Sequence, residues 1–233
     1  MDGRVPLPHP VALPSEPDLG TAFPPYRPTH DFLGAHIDDG HAEIDAWPVE
    51  GGLIRTSVQG FLRPADALTL YELAWFAEGD VLELGSAWGL STGILCRAMR
   101  NRNRRGKVVS IEIDPGFQRL TAESVAAAGL RSWHEMLGGD AGLLVPRLAA
   151  QRRQFGFVFV DHDHGYQAVR TVCAALPALL PPGGYALFHD FNDIRNTTGD
   201  YGVYRAVAEM METTSSMQFV GVVGCCGLVR KAG

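Results

Sequence analysis

Cysteine is scarce in this chain. There are four among 233 residues (Cys96, Cys173, Cys225 and Cys226), with neither zinc-ligand spacing nor the density of a secreted disulfide scaffold. They read as reduced thiols of a cytoplasmic protein. No apolar run approaches the ~20 residues that span a bilayer, so no membrane partner is expected. The opening MDGRVPLPHP lacks the apolar core of a secretory signal. Basic charge is not in excess either: 20 Lys and Arg against 26 Asp and Glu leave a net charge of −6. A nucleic-acid partner needs a basic face, so none is expected. No repeat is visible. What the chain does have is 46% hydrophobic content, enough to fill a sizeable core at this length. These bounds favour a soluble cytoplasmic α/β enzyme.

Residues 1–30 hold eight of the fifteen prolines. Proline fixes φ and donates no backbone hydrogen bond, so the stretch reads as an extended arm, free or wrapped along the domain. Residues 31–50 are acidic and contain histidine. They read as a solvated surface segment, with a lid over the active site as the sharper alternative. The division expected is therefore an arm or lid over 1–50 and a catalytic domain over 51–233. A possible homodimer through the N-terminal segment is a guess at this level.

From residue 52 the pattern becomes regular. Helical spacing covers Pro64 to Phe76, and strands are predicted at 80–84, 107–113, 155–160 and 185–188, with a weaker one near 133–137. Helices fall between them, at 91–99, 120–128, 141–152, 166–180 and 203–211. A hairpin closes the chain at 217–230. Strands alternating with helices imply a doubly wound, mostly parallel seven-stranded sheet with a C-terminal antiparallel hairpin. Ligands of such sheets bind at the carboxyl ends of the strands, so the residues just after each strand carry the functional argument.

After the first strand comes Gly85-Ser-Ala-Trp-Gly89-Leu-Ser91-Thr92. Its glycines allow a tight turn, and Ser91 or Thr92 suits a helix start. The spacing is not G-x-G-x-x-G, which argues for a ligand without a pyrophosphate. After the second strand, Glu112 is placed to accept ribose hydroxyls. Asp161, His162, Asp163 and His164 follow the apolar FVFV strand, where ionisable groups are costly to bury without a role. His189 and Asp190 end the next strand. If the two strands are neighbours, Asp161 and Asp190 converge, and their oxygens suit Mg²⁺, with Asn192 or Asp193 as a third ligand. His164 or His189 is available as a proton acceptor, since neutral imidazole exists near pH 7. The basic run Arg100 to Lys107 reads as a solvated helix end, and Cys225-Cys226 as small packing residues.

Together VLELGSAWGLS, VVSIEIDP, GGDAG, FVFVDHDHGY and LLPPGGYALFHD, in this order, resemble a class I S-adenosylmethionine-dependent methyltransferase from about Val81 to Arg230. Within that class the chain is similar to small-molecule O-methyltransferases of the catechol and caffeoyl-CoA type. It is closer still to a bacterial group with a D-x-D-H-x-Y segment, often found with natural-product pathways. The resemblance implies that Glu83, Gly85, Ser86 and Gly89 hold the methionine end of the cofactor, with Ser91 beside them. Glu112 would bind the ribose, Gly139, Asp140 and Ala141 would border the adenine, and His162 would flank it. Asp161 would lie by the sulfonium and bind metal, with Asn192 replacing the family's Asn or the metal site incomplete, and His164 would be the base. One departure is Phe191, where metal-dependent relatives of the catechol type place Asn. An NAD-dependent oxidoreductase is the alternative enzyme, weakened by the missing G-x-G-x-x-G; a non-catalytic methyltransferase-like scaffold is the other.

Overall fold

The computed structural model describes residues 10–17, 23–30 and 34–233. Expectations for 1–9, 18–22 and 31–33 lie outside the described residues. The described parts of the arm lie along the domain. Val11 N–H donates to Phe219 O at 2.9 Å, and the Tyr204 hydroxyl donates to Pro14 O. Further on, His30 N–H donates to the Glu72 carboxylate at 2.7 Å, where the Tyr26 and Thr29 hydroxyls also donate.

Helix α1 (Asp39–Asp45) begins at Asp38, whose side chain accepts the His41 N–H. The acidic stretch is therefore not simply a solvated surface. His41 is fully buried, its ring stacked on Tyr71 at 5.3 Å, and burial pushes its pKa down to about 4. None of the described residues 34–50 lines the main cleft. Strands β1 (Val49–Glu50) and β2 (Leu53–Ile54) pair antiparallel, so the chain is continuous in structure across the expected boundary at residue 50. Helix α2 (Pro64–Phe76) starts with proline at its first position, where a missing N–H costs nothing.

The large sheet comprises β3 (Val81–Leu84), β4 (Val108–Glu112), β5 (His134–Gly138), β6 (Phe157–Val160), β7 (Tyr185–Phe188), β8 (Met217–Val223) and β9 (Cys226–Lys231). Its spatial order is β5-β4-β3-β6-β7-β9-β8. The first five strands are mutually parallel, while β9 runs antiparallel to β7 and to β8. This is the doubly wound sheet with a terminal hairpin expected above. Side chains alternate between faces. Val81, Val108, Phe157, Phe159 and Leu187 pack beneath α2 and α3 (Leu90–Asn101), together with Val125 of α4 (Pro115–Ala127). Leu82, Leu84, Val109, Ile111, Val158 and Val160 pack on the other face, against α5 (Ala141–Ala150), α6 (Tyr166–Leu179) and α8 (Val203–Thr213). Helices cover both faces, which is why FVFV is apolar without interruption. A short α7 (Arg195–Thr198) precedes α8.

The basic run is not uniformly solvated. Arg102 is only 8% exposed. Its guanidinium donates to Ala74 O at 3.2 Å and Gly79 O at 3.1 Å, and also to Ala77 O. These carbonyls lie at and just beyond the end of α2, where no intrahelical donor remains for them. Arg102→Met keeps the stem and leaves the carbonyls orphaned. The expected loss is about 3 kcal/mol, read as a lower urea midpoint with an unchanged slope. A loss under about 0.5 kcal/mol would mean that water replaces the guanidinium.

Candidate active site

The chain direction switches between β3 and β6. From β3 it winds outward through β4 to β5; from β6 it winds the other way through β7. A crevice opens at the carboxyl ends of strands beside such a switch, and the main cleft lies there, with a volume of about 990 Å³. Gly85 turns the chain out of β3 at φ +85°, and a Cβ there would stand 2.2 Å from the Asp161 carbonyl oxygen. The loop can pass this close to the end of β6 only without a side chain. Gly89, also left-handed at φ 88°, is the N-cap of α3 and offers no side-chain cap. Ser91 lines the cleft inside the first turn rather than capping it.

Glu112 leaves the end of β4 and faces the same loop. Its Oε2 accepts the Ser86 N–H at 3.0 Å and the Ala87 N–H at 3.1 Å, and its Oε1 accepts the Asp114 N–H at 3.0 Å. Each carboxylate oxygen has two lone pairs, so one direction on Oε1 remains free. One ribose hydroxyl can dock there; a second must compete with the loop amides. Gly139, Asp140 and Ala141 border the cleft after β5. Asp140 caps α5 by accepting the Gly142 N–H at 2.7 Å, leaving Oδ2 for a ligand. His162 lines the cleft beside Asp161.

Glu83 does not line it, contrary to the role expected for it. Strand alternation turns its side chain to the α3 face, away from Leu82 and Leu84. There it is fully buried and accepts the Thr92 and Ser110 hydroxyls, each at 2.6 Å. Burial raises its pKa to about 7. Folded Glu83 thus holds its proton more tightly than the unfolded chain does. Its contribution to stability is most favourable below about pH 4.5 and declines as pH rises to about 7. Glu83→Gln should abolish that decline. Urea titrations should show the variant gaining on the parent chain by about 3 kcal/mol between those pH values; a constant difference would refute a raised Glu83.

At the ends of β6 and β7, which pair with Val160 opposite Phe188, the charged residues converge. His164 Nε2 lies 3.4 Å from Asp161 Oδ1 and 3.2 Å from Asp190 Oδ2. His189 Nδ1 lies 3.1 Å from Asp161 Oδ1 and 3.5 Å from Asp190 Oδ1. Burial works to raise both carboxyls, but the two histidines outweigh it and hold them below the usual range, Asp190 far below. Burial also works to lower the histidines. The carboxylates outweigh that too, carrying His164 up to about 9 and His189 well above its ordinary value. The expectation of a freely available neutral imidazole is therefore corrected: in the ligand-free chain the two carboxylates favour the protonated form of both rings.

Asn192 is corrected as well. It is buried outside the cleft lining, its N–H bound to Cys225 O at 3.0 Å. The chain turns through a left-handed Asp190 (φ 54°), and Phe191 plunges into the core against Tyr204 and Phe219. Asn192 is thereby carried past the acids, and Asp193 faces the cleft instead, clasped by Arg195 at 2.7 Å. Two residues of this loop had no readable signal. Tyr201 stacks on the His164 ring at 4.5 Å and 13°, and Arg195 approaches Asp190 to 3.7 Å. The opposite wall is Leu53 with Gln59 to Arg63. Trp88 stands between Phe61 and Phe117 at 5.8 and 5.1 Å. Aromatic side chains in loops have no periodicity to betray them.

A methyltransferase domain family matches residues 82–191. The chain is 30% identical over 155 residues to the O-methyltransferase imqG of Aspergillus flavus, covering 61% of this chain and 55% of that protein. It is 28% identical over 135 residues to the catechol O-methyltransferase of Niastella koreensis, covering 57% and 58%. The chain thus spans little more than half the length of these relatives. Among solved structures, the O-methyltransferase from Bacillus cereus in complex with SAH superposes with a TM-score of 0.61 at 18% identity, covering 86% of this chain and 94% of that one; at that identity the likeness speaks for the fold. The matched domain spans the Gly85 loop, Glu112 and Asp161, and the sheet order and terminal hairpin are those of a Rossmann-like class I methyltransferase fold.

Proposed function

We propose that the chain transfers a methyl group from S-adenosylmethionine to a hydroxyl of a small molecule. The observation that carries this reading is one cleft. It gathers the Gly85–Gly89 loop, Glu112, Gly139–Ala141 and the Asp161–His164–Asp190 cluster. The donor set fits the cofactor: a close-packed glycine turn, a carboxylate with a spare acceptor, and acids near where a sulfonium would sit. Bound there, S-adenosylmethionine supplies an electrophilic methyl group. The names of both curated relatives support oxygen as the target.

The rest is orientation and proton transfer. The loop and Glu112 fix the nucleoside, while Trp88 and Phe61 shield the loop side from water. His164, on the open side and held in plane by Tyr201, takes the acceptor's proton. Asp161 and Asp190 favour its protonated form, so neutralising those carboxylates would make the ring a readier proton acceptor. The same two acids are hard oxygen donors suited to Mg²⁺, which would lower the pKa of an acceptor hydroxyl. His189 is only 6% exposed and is the weaker candidate for the base.

Calorimetric titration tests the reading. S-adenosylhomocysteine should bind one per chain, NADH should not, and Mg²⁺ should strengthen turnover of a catechol probe. Binding of NADH with no heat from S-adenosylhomocysteine would return the oxidoreductase reading.

A further inference from the structure

At the back wall of the cleft four ligand-type side chains meet, and the methyl-transfer reading gives no role to three of them, Asp66, Cys225 and Cys226. Asp66 comes from the first turn of α2, His189 from just past the end of β7, Cys225 from the turn between β8 and β9, and Cys226 from the first position of β9. One donor atom from each lies within 4.8 Å of every other, and all four residues are buried. Cys225 N–H donates to Asp66 Oδ1 at 3.0 Å. The two thiols approach the same carboxylate at 3.4 and 3.5 Å. His189 Nε2 stands 3.9 Å from Asp66 Oδ2 and has no hydrogen-bond partner although it is buried. A buried ring nitrogen left without a partner needs an explanation.

We infer that Asp66, His189, Cys225 and Cys226 form a zinc site. Two sulfurs, one imidazole nitrogen and one carboxylate oxygen are a complete tetrahedral set for Zn²⁺, and thiolates select against Mg²⁺. Bonds of about 2.0 to 2.3 Å require the four atoms to draw slightly together. A carboxylate stands beside the other ring nitrogen: His189 Nδ1 lies 3.1 Å from Asp161 Oδ1, close enough for a small ring rotation to give the hydrogen bond by which a carboxylate orients a metal-binding imidazole. An entry path exists, because Cys225 and His189 line the cleft. The ion would tie the β8–β9 turn to α2 and to the strand end bearing Asp190, stiffening the floor beneath the acids. The site is distinct from the oxygen-donor pair Asp161 and Asp190, and it stands whether or not the chain transfers methyl groups.

Cobalt substitution of the full chain provides the test. After chelator treatment, Co²⁺ should bind one per chain, with thiolate-to-cobalt charge-transfer absorption and the intense visible bands of a tetrahedral ion. Zn²⁺ should bleach these bands, and a large excess of Mg²⁺ should not. Cys226→Ser should lose most of the charge-transfer intensity, whereas Cys96→Ser, at a distant buried thiol, should keep it. Absence of a charge-transfer band in the parent chain, or an equal band in Cys226→Ser, overturns the site. The cobalt spectrum of the parent chain decides the matter even if the variant misfolds.

Discussion

Gly85→Val should abolish detectable binding of S-adenosylhomocysteine and lower the thermal midpoint by about 6 to 12 °C, the equivalent of ~3 kcal/mol at this chain length. Two costs add. The backbone sits at φ +85°, where a β-branched residue is strained by roughly 1–2 kcal/mol. The new Cβ would also stand 2.2 Å from the Asp161 carbonyl oxygen, a backbone atom that cannot swing aside. Either the loop lifts off or the end of β6 moves, and both displace the amides of Ser86 and Ala87 from Glu112. Gly85→Ala should show a weaker form of the same defect. Calorimetry and a thermal melt check it. Affinity within about threefold of the parent chain in the valine variant would place the cofactor elsewhere.

Loss of the proposed proton acceptor should have the largest effect on turnover. His164→Ala is expected to reduce kcat by about 10²- to 10⁴-fold, the usual worth of a positioned general base. Affinity for S-adenosylhomocysteine should move far less, because Gly85, Glu112 and Gly139, the proposed cofactor anchors, lie at the ends of other strands. The variant also frees Tyr201 from its stack and removes the imidazole from between Asp161 and Asp190. A thermal melt separates a folding defect from a chemical one. Tyr201→Leu keeps the imidazole and tests positioning alone; it should cost much less in kcat than His164→Ala. If His164→Ala turns over within about fivefold of the parent chain, the base is another group.

The elements whose periodicity is internal were legible. β3, β4, β6 and β7 announce themselves as short apolar runs ending in Gly or an acid, and Tyr185–Phe188 falls on the expected residues. Less legible was α1, a seven-residue helix in a segment dominated by charge. Its burial depends on Tyr71 and Asn101 reaching Asp38 from two other helices. Arg102 looked like one cation among five. What distinguishes it is the end of α2, 23 to 28 positions earlier in the chain.

By itself, the sequence determined the layered α/β architecture and the positions just past the strand ends. Hydrophobic alternation and glycine placement are local properties that follow the chain in order. Only the tertiary structure decided which side of a strand each acid faces and which distant groups meet. It turned Glu83 away from the cleft and carried Asn192 past the acids. It also set His164 and His189 between two carboxylates that favour their protonated forms, and brought Asp66 and Cys225, 159 positions apart, to one buried point. Charge states and ligand sets depend on distances of a few ångströms between segments, and those distances exist only after the sheet has closed its order.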